Sequence, residues 1–192
     1  MSMTLDRGFK AWAERTATAI RRELQLAPTA PLPAVRLAEH LGVALWTCAD
    51  VPGITPGILK QLLVTDPWGW SAVTVVVGDK VIVVYNDKKS PGRQASDITH
   101  ELAHVILSHD PATVILSESV ALSMRTFDQK QEDEANCLAW ALLLPRDALF
   151  MARVRRLDPG HIAEEYGVTE TLVQYRLRIT GIDVQLRRRR RA

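Results

Sequence analysis

Thr99–His104 reads T-H-E-L-A-H, two histidines four apart with a glutamate directly after the first. On an α-helix, residues four apart lie on one face a turn apart, so His100 and His104 can turn their rings toward one Zn²⁺ while Glu101 reaches a water beside it. Zinc lowers the pKa of such a water toward about 7, and a neighbouring carboxylate can take its proton and return it to a leaving amine. These are the residue types of a zinc hydrolase. Chance alone would place H-E-x-x-H in about one chain in 150 of this length and composition, so context has to decide. Ser90-Pro91 offers an N-cap and a first-turn proline, and Ile98, Leu102, Val105 and Ile106 form a buried stripe running on to about His109. The competing reading, two packed core histidines, gives this spacing no purpose.

The chain has 192 residues, 47% of them hydrophobic, enough for one domain with appendages. No run of eighteen apolar residues and no apolar leader segment is present, which argues against a transmembrane helix or secretory signal. Cys48 and Cys137 lie far apart and outside any C-x-x-C pattern, so a reducing, cytoplasmic setting is expected, with Cys137 a small buried hydrophobe. Net charge is +2, but Arg187–Arg191 end the chain; setting those five aside leaves 19 of the 24 basic residues against 22 acidic ones. The body is therefore mildly acidic, and the terminus reads as a solvated, disordered basic tail in preference to a nucleic-acid contact.

Working outward, Thr4–Leu24 is expected to be an amphipathic helix, with Phe9, Trp12, Ala13, Ala17, Ile20 and Leu24 inward and Arg15, Arg21, Arg22 and Glu23 largely outward. A second helix over Pro33–Leu41 is stopped by Gly42, and Val43–Trp46 reads as a short strand. A short helix is expected at Gly57–Leu63. Ser71–Val77 and Lys80–Tyr85 form a hairpin through a type II′ turn at Gly78-Asp79. Their nearly continuous apolar runs suggest a sheet covered by helices, with Trp68 and Trp70 leading in as core or rim. Such a hairpin is also a reasonable rail for an extended peptide. His40 and His161 are local residues near helix ends.

Asp110–Thr126 shows no clean period. Asp128 then opens a helix to Leu144 through D-x-x-Q, a variant capping box. A catalytic zinc takes three protein ligands, so one is still to be found. Glu132, 32 residues after His100, is the preferred choice, with Asn136 one turn on as acceptor for a ligand ring N–H. Glu134 is the rival and points about 200° away around the helix, so the two cannot both face the metal. The metzincin spacing would place the third ligand at Asp110, but Leu107 stands where its turn glycine belongs, and no residue there promises to fold the chain back. His109, one place out of register, reads as a dipole-stabilised helix end. Tyr85, His109 and Arg125 are candidates for stabilising an oxyanion.

H-E-L-A-H followed by Gln131–Pro145, Q-E-D-E-A-N-C-L-A-W-A-L-L-L-P, resembles the ImmA/IrrE family of zinc-dependent peptidases. The likeness extends back through Trp70-Ser71, Tyr85-Asn86 and Ser90-Pro91-x-Arg93, and forward to Gly167-Val168-Thr169 and Tyr175-Arg176-Leu177. The resemblance implies an α+β fold: a minimal zincin-like core of two metal-binding helices packed on a small sheet with a β-hairpin, plus N-terminal helices and a C-terminal helical region. It implies zinc on His100, His104 and Glu132, with Glu101 as general base. It also implies a substrate, a small helix-turn-helix repressor encoded nearby, whose cleavage turns on stress-response or mobile-element genes. Asn136 stands where many members have aspartate. Many relatives carry a helix-turn-helix domain of their own and none precedes the core here, so a separate repressor partner is expected.

The expected organisation is N-terminal helices over 1–42, the zincin-like core over 43–156, helix-turn-helix-like helices over 157–181 and the basic tail over 182–192. Ile162–Arg178 places Ala163, Gly167, Val168 and Val173 at the small, turn and core positions of a helix-turn-helix, with Thr169 as N-cap. Together with Arg176, Arg178 and the tail, this sustains a rival reading: a non-proteolytic regulator that binds a repressor or DNA. DNA contact is the less favoured of the two.

Overall fold

In the computed structural model, which describes residues 3–109 and 128–189, proline and glycine set most element boundaries. Helices α1 (Phe9–Glu23) and α2 (Ala34–His40) flank the Pro-rich Ala27–Pro33 stretch, and Gly42, at φ 68°, releases the chain into β1 (Ala44–Thr47). Helix α3 (Pro56–Lys60) runs on into a π-helical turn at Gln61–Thr65, and the hairpin of β2 (Ala72–Val77) and β3 (Lys80–Tyr85) follows. The remaining described elements are α4 (Pro91–Ile106), α5 (Gln129–Leu143), α6 (Arg146–Val154), α7 (Pro159–Tyr166), α8 (Glu170–Thr180) and α9 (Ile182–Arg189). The architecture is α+β, a small zincin-like core with flanking helices.

The three-stranded sheet has the order β1-β3-β2, with β1 parallel to β3 (Ala44 opposite Ile82) and β2 antiparallel to it (Val75 opposite Ile82). Gly78 alone of the two turn residues takes a positive φ, 58°, as the first position of a II′ turn requires. Central β3 buries Ile82, Val83 and Val84. The expected cover does not extend to the whole hairpin: β2 is an edge strand, and Val76 and Val77 at its far end are exposed. Trp68 is likewise exposed, at 77%, whereas Trp70 anchors the approach to β2 by donating its indole N–H to the Leu62 carbonyl at 3.1 Å.

Helix α1 lays Ala13, Ala17 and Ile20 against α5, where Leu138, Ala141 and Leu142 meet them, and α4 adds Ile98 and Leu102 beneath β3. The alanines leave room for the helices to approach closely, so polar side chains on α4 and α5 are brought within reach of one another. Arg21 corrects the amphipathic reading. It is fully buried, and its guanidinium donates to the carbonyls of Ala30 at 2.8 Å, Ala17 at 3.1 Å and Leu142 at 2.7 Å. A cation on the apolar face thus ties α1 to the loop before α2 and to the end of α5.

A second core gathers Leu144, Leu149, Ile162, Val173 and Ile182 from the segments around α6 to α9. Gly167, at φ 63°, turns α7 into α8, and the Thr169 hydroxyl caps α8 by accepting the Leu172 N–H at 3.2 Å. The expectation of a disordered tail from residue 182 fails for 182–189, which form α9. Ile182 is fully buried, and Asp183 pairs with Arg153 at 2.8 Å. The stretch Asp110–Thr126, with the candidates Asp110 and Arg125, and the last arginines lie outside the described residues.

Candidate metal centre

Helix α4 begins as its sequence demands: Ser90 is extended and Pro91 supplies the preset φ of the first turn. Two turns on, His100 and His104 share a face, with ring centroids 4.8 Å apart and Nε2 atoms 3.1 Å apart. Helix α5 starts at Asp128, whose carboxylate accepts the Lys130 N–H at 2.9 Å, and this sets Glu132 opposite the histidines. Glu132 Oε2 lies 3.1 Å from His100 Nε2, and its Oε1 lies 3.5 Å from His104 Nε2. Hydrogen bonding from the His100 ring, then from that of His104, holds the Glu132 carboxyl well below the usual carboxylate range, against the opposing effect of partial burial.

One donor atom from each of His100, His104 and Glu132 falls within 4.8 Å of the other two, a cluster that could hold a metal ion. Two imidazoles and a carboxylate from two helices match a tetrahedral zinc site with one open position, and His and carboxylate donors also accept Mn²⁺ or Fe²⁺. The donor set therefore fits the metal that the motif implies.

Glu101 is buried beside this cluster on α4, and Thr74 of the edge strand donates its hydroxyl to Glu101 Oε2 at 2.6 Å. Sequence reasoning missed Thr74, although a signal was there: it is the one polar residue in Ala72–Val77, and it is buried. Asn136 lines the cleft next to His100, but among the described residues no hydrogen bond joins it to either ring. Glu134 turns away from Glu132, as expected, and reaches His109 Nε2 at 3.3 Å. His109 is not merely a helix-end histidine, because its Nδ1 lies 2.9 Å from His104 Nδ1. His40 pairs with Glu23 at 3.0 Å and His161 with Asp158 at 2.7 Å, so both are local.

A cleft of about 480 Å³ opens beside the cluster, walled by Arg93, Asp97, His100 and Glu132 on one side and by Trp140, Leu172 and Tyr175 on the other. Trp140 of α5 and Tyr175 of α8 meet edge-on with centroids 4.5 Å apart. The C-terminal helices are held here by close backbone contact, since a Cβ on Gly92 would come within 2.7 Å of the Val168 carbonyl carbon. They are a wall of the cleft. Of the basic residues that suggested DNA binding, Arg176 is engaged within the fold: it is buried, donating to the Leu144 carbonyl at 3.0 Å and to Glu14 at 2.6 Å. Arg178 lies over the Tyr175 ring, 5.2 Å from its centroid.

A family model, Peptidase_M78, the IrrE N-terminal-like domain, matches residues 69–178, more than half of the chain. The chain belongs to the M78 peptidase family. The M78 match spans the hairpin, both helices of the cluster and the cleft wall. No curated protein matches the chain. Among solved structures, this M78 chain is similar to a Mycobacterium tuberculosis transcriptional regulator, with a TM-score of 0.52 and 21% identity over 90% of its own length. At that identity the likeness concerns the fold alone. The M78 chain spans 47% of the length of that regulator.

Proposed function

We propose that the chain is a cytoplasmic, zinc-dependent endopeptidase whose substrate is a protein, a small helix-turn-helix repressor. The observation that carries this reading is the convergence of His100, His104 and Glu132 next to a buried Glu101. Among the described residues no helix is long and apolar enough to cross a membrane.

His100, His104 and Glu132 would hold the zinc, which when bound supplies Lewis-acid polarisation of a water and of the scissile carbonyl. Thr74 anchors one oxygen of Glu101, and the carboxylate takes a proton from the attacking water as the water oxygen bonds to the carbonyl carbon. When the C–N bond breaks, Glu101 passes that proton to the departing amine, so the base of the first step is the acid of the second. The edge of β2 offers backbone groups to an extended substrate strand, and Trp140, Leu172 and Tyr175 offer an apolar wall for one of its side chains.

Family membership supports a peptidase, and the regulatory substrate is what the sequence resemblance implies. The rival reading, DNA binding through the C-terminal helices, loses support because Arg176 is engaged inside the fold and Leu172 and Tyr175 face the cleft. The deciding experiment incubates the zinc-loaded full chain with a purified small helix-turn-helix repressor, sought first among the neighbouring genes. Wild type is expected to cleave it, and Glu101→Gln is expected to keep the metal and lose cleavage. Undiminished repressor loss with Glu101→Gln would overturn the peptidase reading.

A further inference from the structure

The helix bearing both histidines ends in a tight capped turn at Ser108 and His109. Ser108 N–H donates to the Val105 carbonyl at 3.1 Å and His109 N–H to the His104 carbonyl at 3.0 Å, the paired bonds of a Schellman turn. Such a turn needs a left-handed residue, ordinarily glycine; here it is Ser108, at φ 53°. A side chain in that conformation costs free energy, and strain of this kind persists only where the surroundings enforce it.

What the turn delivers is the His109 ring. It meets the His104 ring edge-on, centroids 5.0 Å apart, with the two Nδ1 atoms 2.9 Å apart, while His109 Nε2 lies 3.3 Å from Glu134 Oε2. The three side chains are only 3%, 9% and 14% exposed for His104, His109 and Glu134. Lys130 Nζ also approaches Glu134, at 3.8 Å from Oε1.

Hydrogen-bond chemistry gives this chain a direction. An ionised carboxylate only accepts, so His109 Nε2 carries a hydrogen toward Glu134. Two Nδ1 atoms at 2.9 Å share one hydrogen between them. If His109 Nδ1 accepts it, the donor is His104 Nδ1, and the lone pair of His104 is left on Nε2, the atom that faces His100 and Glu132.

Resting on the metal-site reading above, we infer that Glu134 and His109 are positioning residues that lock His104 in the tautomer and orientation in which Nε2 binds the metal. The relay takes the place that sequence reasoning assigned to Asn136. Buried acceptors behind ligand histidines raise ligand basicity, and their loss typically costs about 10–100-fold in metal affinity.

The test titrates Zn²⁺ alone into the full chain against a chromophoric chelator, with thermal unfolding of the metal-free protein in parallel. His109→Leu, which removes the acceptor, is expected to weaken zinc binding by about 10–100-fold. His109→Asn, which keeps an acceptor close to Nδ1, is expected to restore most of that loss, and Glu134→Gln to fall between. The double variant His109→Leu with Glu134→Gln is expected to bind no more weakly than His109→Leu, since the carboxylate acts only through the ring. Wild-type affinity in His109→Leu, with no binding in His100→Ala, would overturn the relay and leave the metal site standing. Equal weakening in the Leu and Asn variants, accompanied by earlier unfolding of both metal-free proteins, would make the role merely structural and also overturn it. Equal binding by wild type and His100→Ala would remove the metal site itself, and the relay with it.

Discussion

Thr74 Oγ1 donates to Glu101 Oε2 at 2.6 Å, a buried bond that joins the edge strand to the helix carrying both histidines. The carboxylate is thereby held by a residue on the very strand along which a substrate would lie. Thr74→Val keeps the shape and removes the donor. We expect a loss of about tenfold in the rate of peptide cleavage, on the order of 1.4 kcal/mol, with zinc content unchanged. Single-turnover cleavage combined with metal analysis would check this, and an unaltered rate would show that Thr74 does not orient the base.

Gly92 sits against the backbone of Val168 and Thr169, where an added Cβ would come within 2.7 Å of the Val168 carbonyl carbon and 3.0 Å of the Thr169 nitrogen. Main-chain atoms cannot swing aside as a side-chain tip can. Gly92→Ala should therefore cost roughly 1–3 kcal/mol of stability and push α8 off α4, widening the cleft. Urea unfolding should report the first effect and a raised KM the second.

Buried Arg21 makes three hydrogen bonds to carbonyl oxygens. Arg21→Met fills much of the volume but takes the guanidinium donors from the Ala30 and Leu142 carbonyls, and a cost of about 3 kcal/mol or more is expected in chemical denaturation. An unchanged midpoint would mean that water replaces the guanidinium.

Asp158 caps α7, and its carboxyl is held below the ordinary range first by the His161 backbone N–H and then by the His161 ring. Its folded pKa lies below the unfolded one, so the stabilisation is complete above the unfolded value and is lost as pH falls through the folded value. The gap in urea midpoint between wild type and Asp158→Ala should be open at about pH 6 and close toward about pH 2. A gap that persists in acid would assign the cap's effect to something other than charge.

The sequence made the helix of His100 and His104 legible because its signals are local: a proline start, a four-residue spacing, an apolar stripe. The place of Glu132 opposite the histidines was legible for the same reason, since one periodic helix sets it there and turns Glu134 to another face. Hairpin and turn followed from Gly78. What stayed hidden depended on long-range packing or on a backbone state that the residue type does not advertise. Arg21 reads as a solvent-facing charge until three carbonyls from separate segments surround it. Ser108 carries no mark of a left-handed conformation: the turn that closes the helix falls on a serine, one residue beyond Leu107, and not on a glycine. His109 reads as a helix end or an oxyanion candidate, and its contact with the far side of the His104 ring is not visible in the sequence. The arginines of the last helix suggested disorder because the buried partners of Ile182 lie in other helices.

The family match begins at residue 69, yet the cohesion of the molecule begins sixty residues earlier, at Phe9. Helix α1 covers the face of α5 opposite the cleft, and Glu14 accepts from both the Arg146 main chain and the Arg176 guanidinium. A fragment cut at the family boundary would strip the hydrophobic back from the helix that carries Glu132 and leave Arg176 without its counter-ion. The segment that confers kinship is thus smaller than the segment that folds, and any attempt to transplant this centre must carry the first helix along.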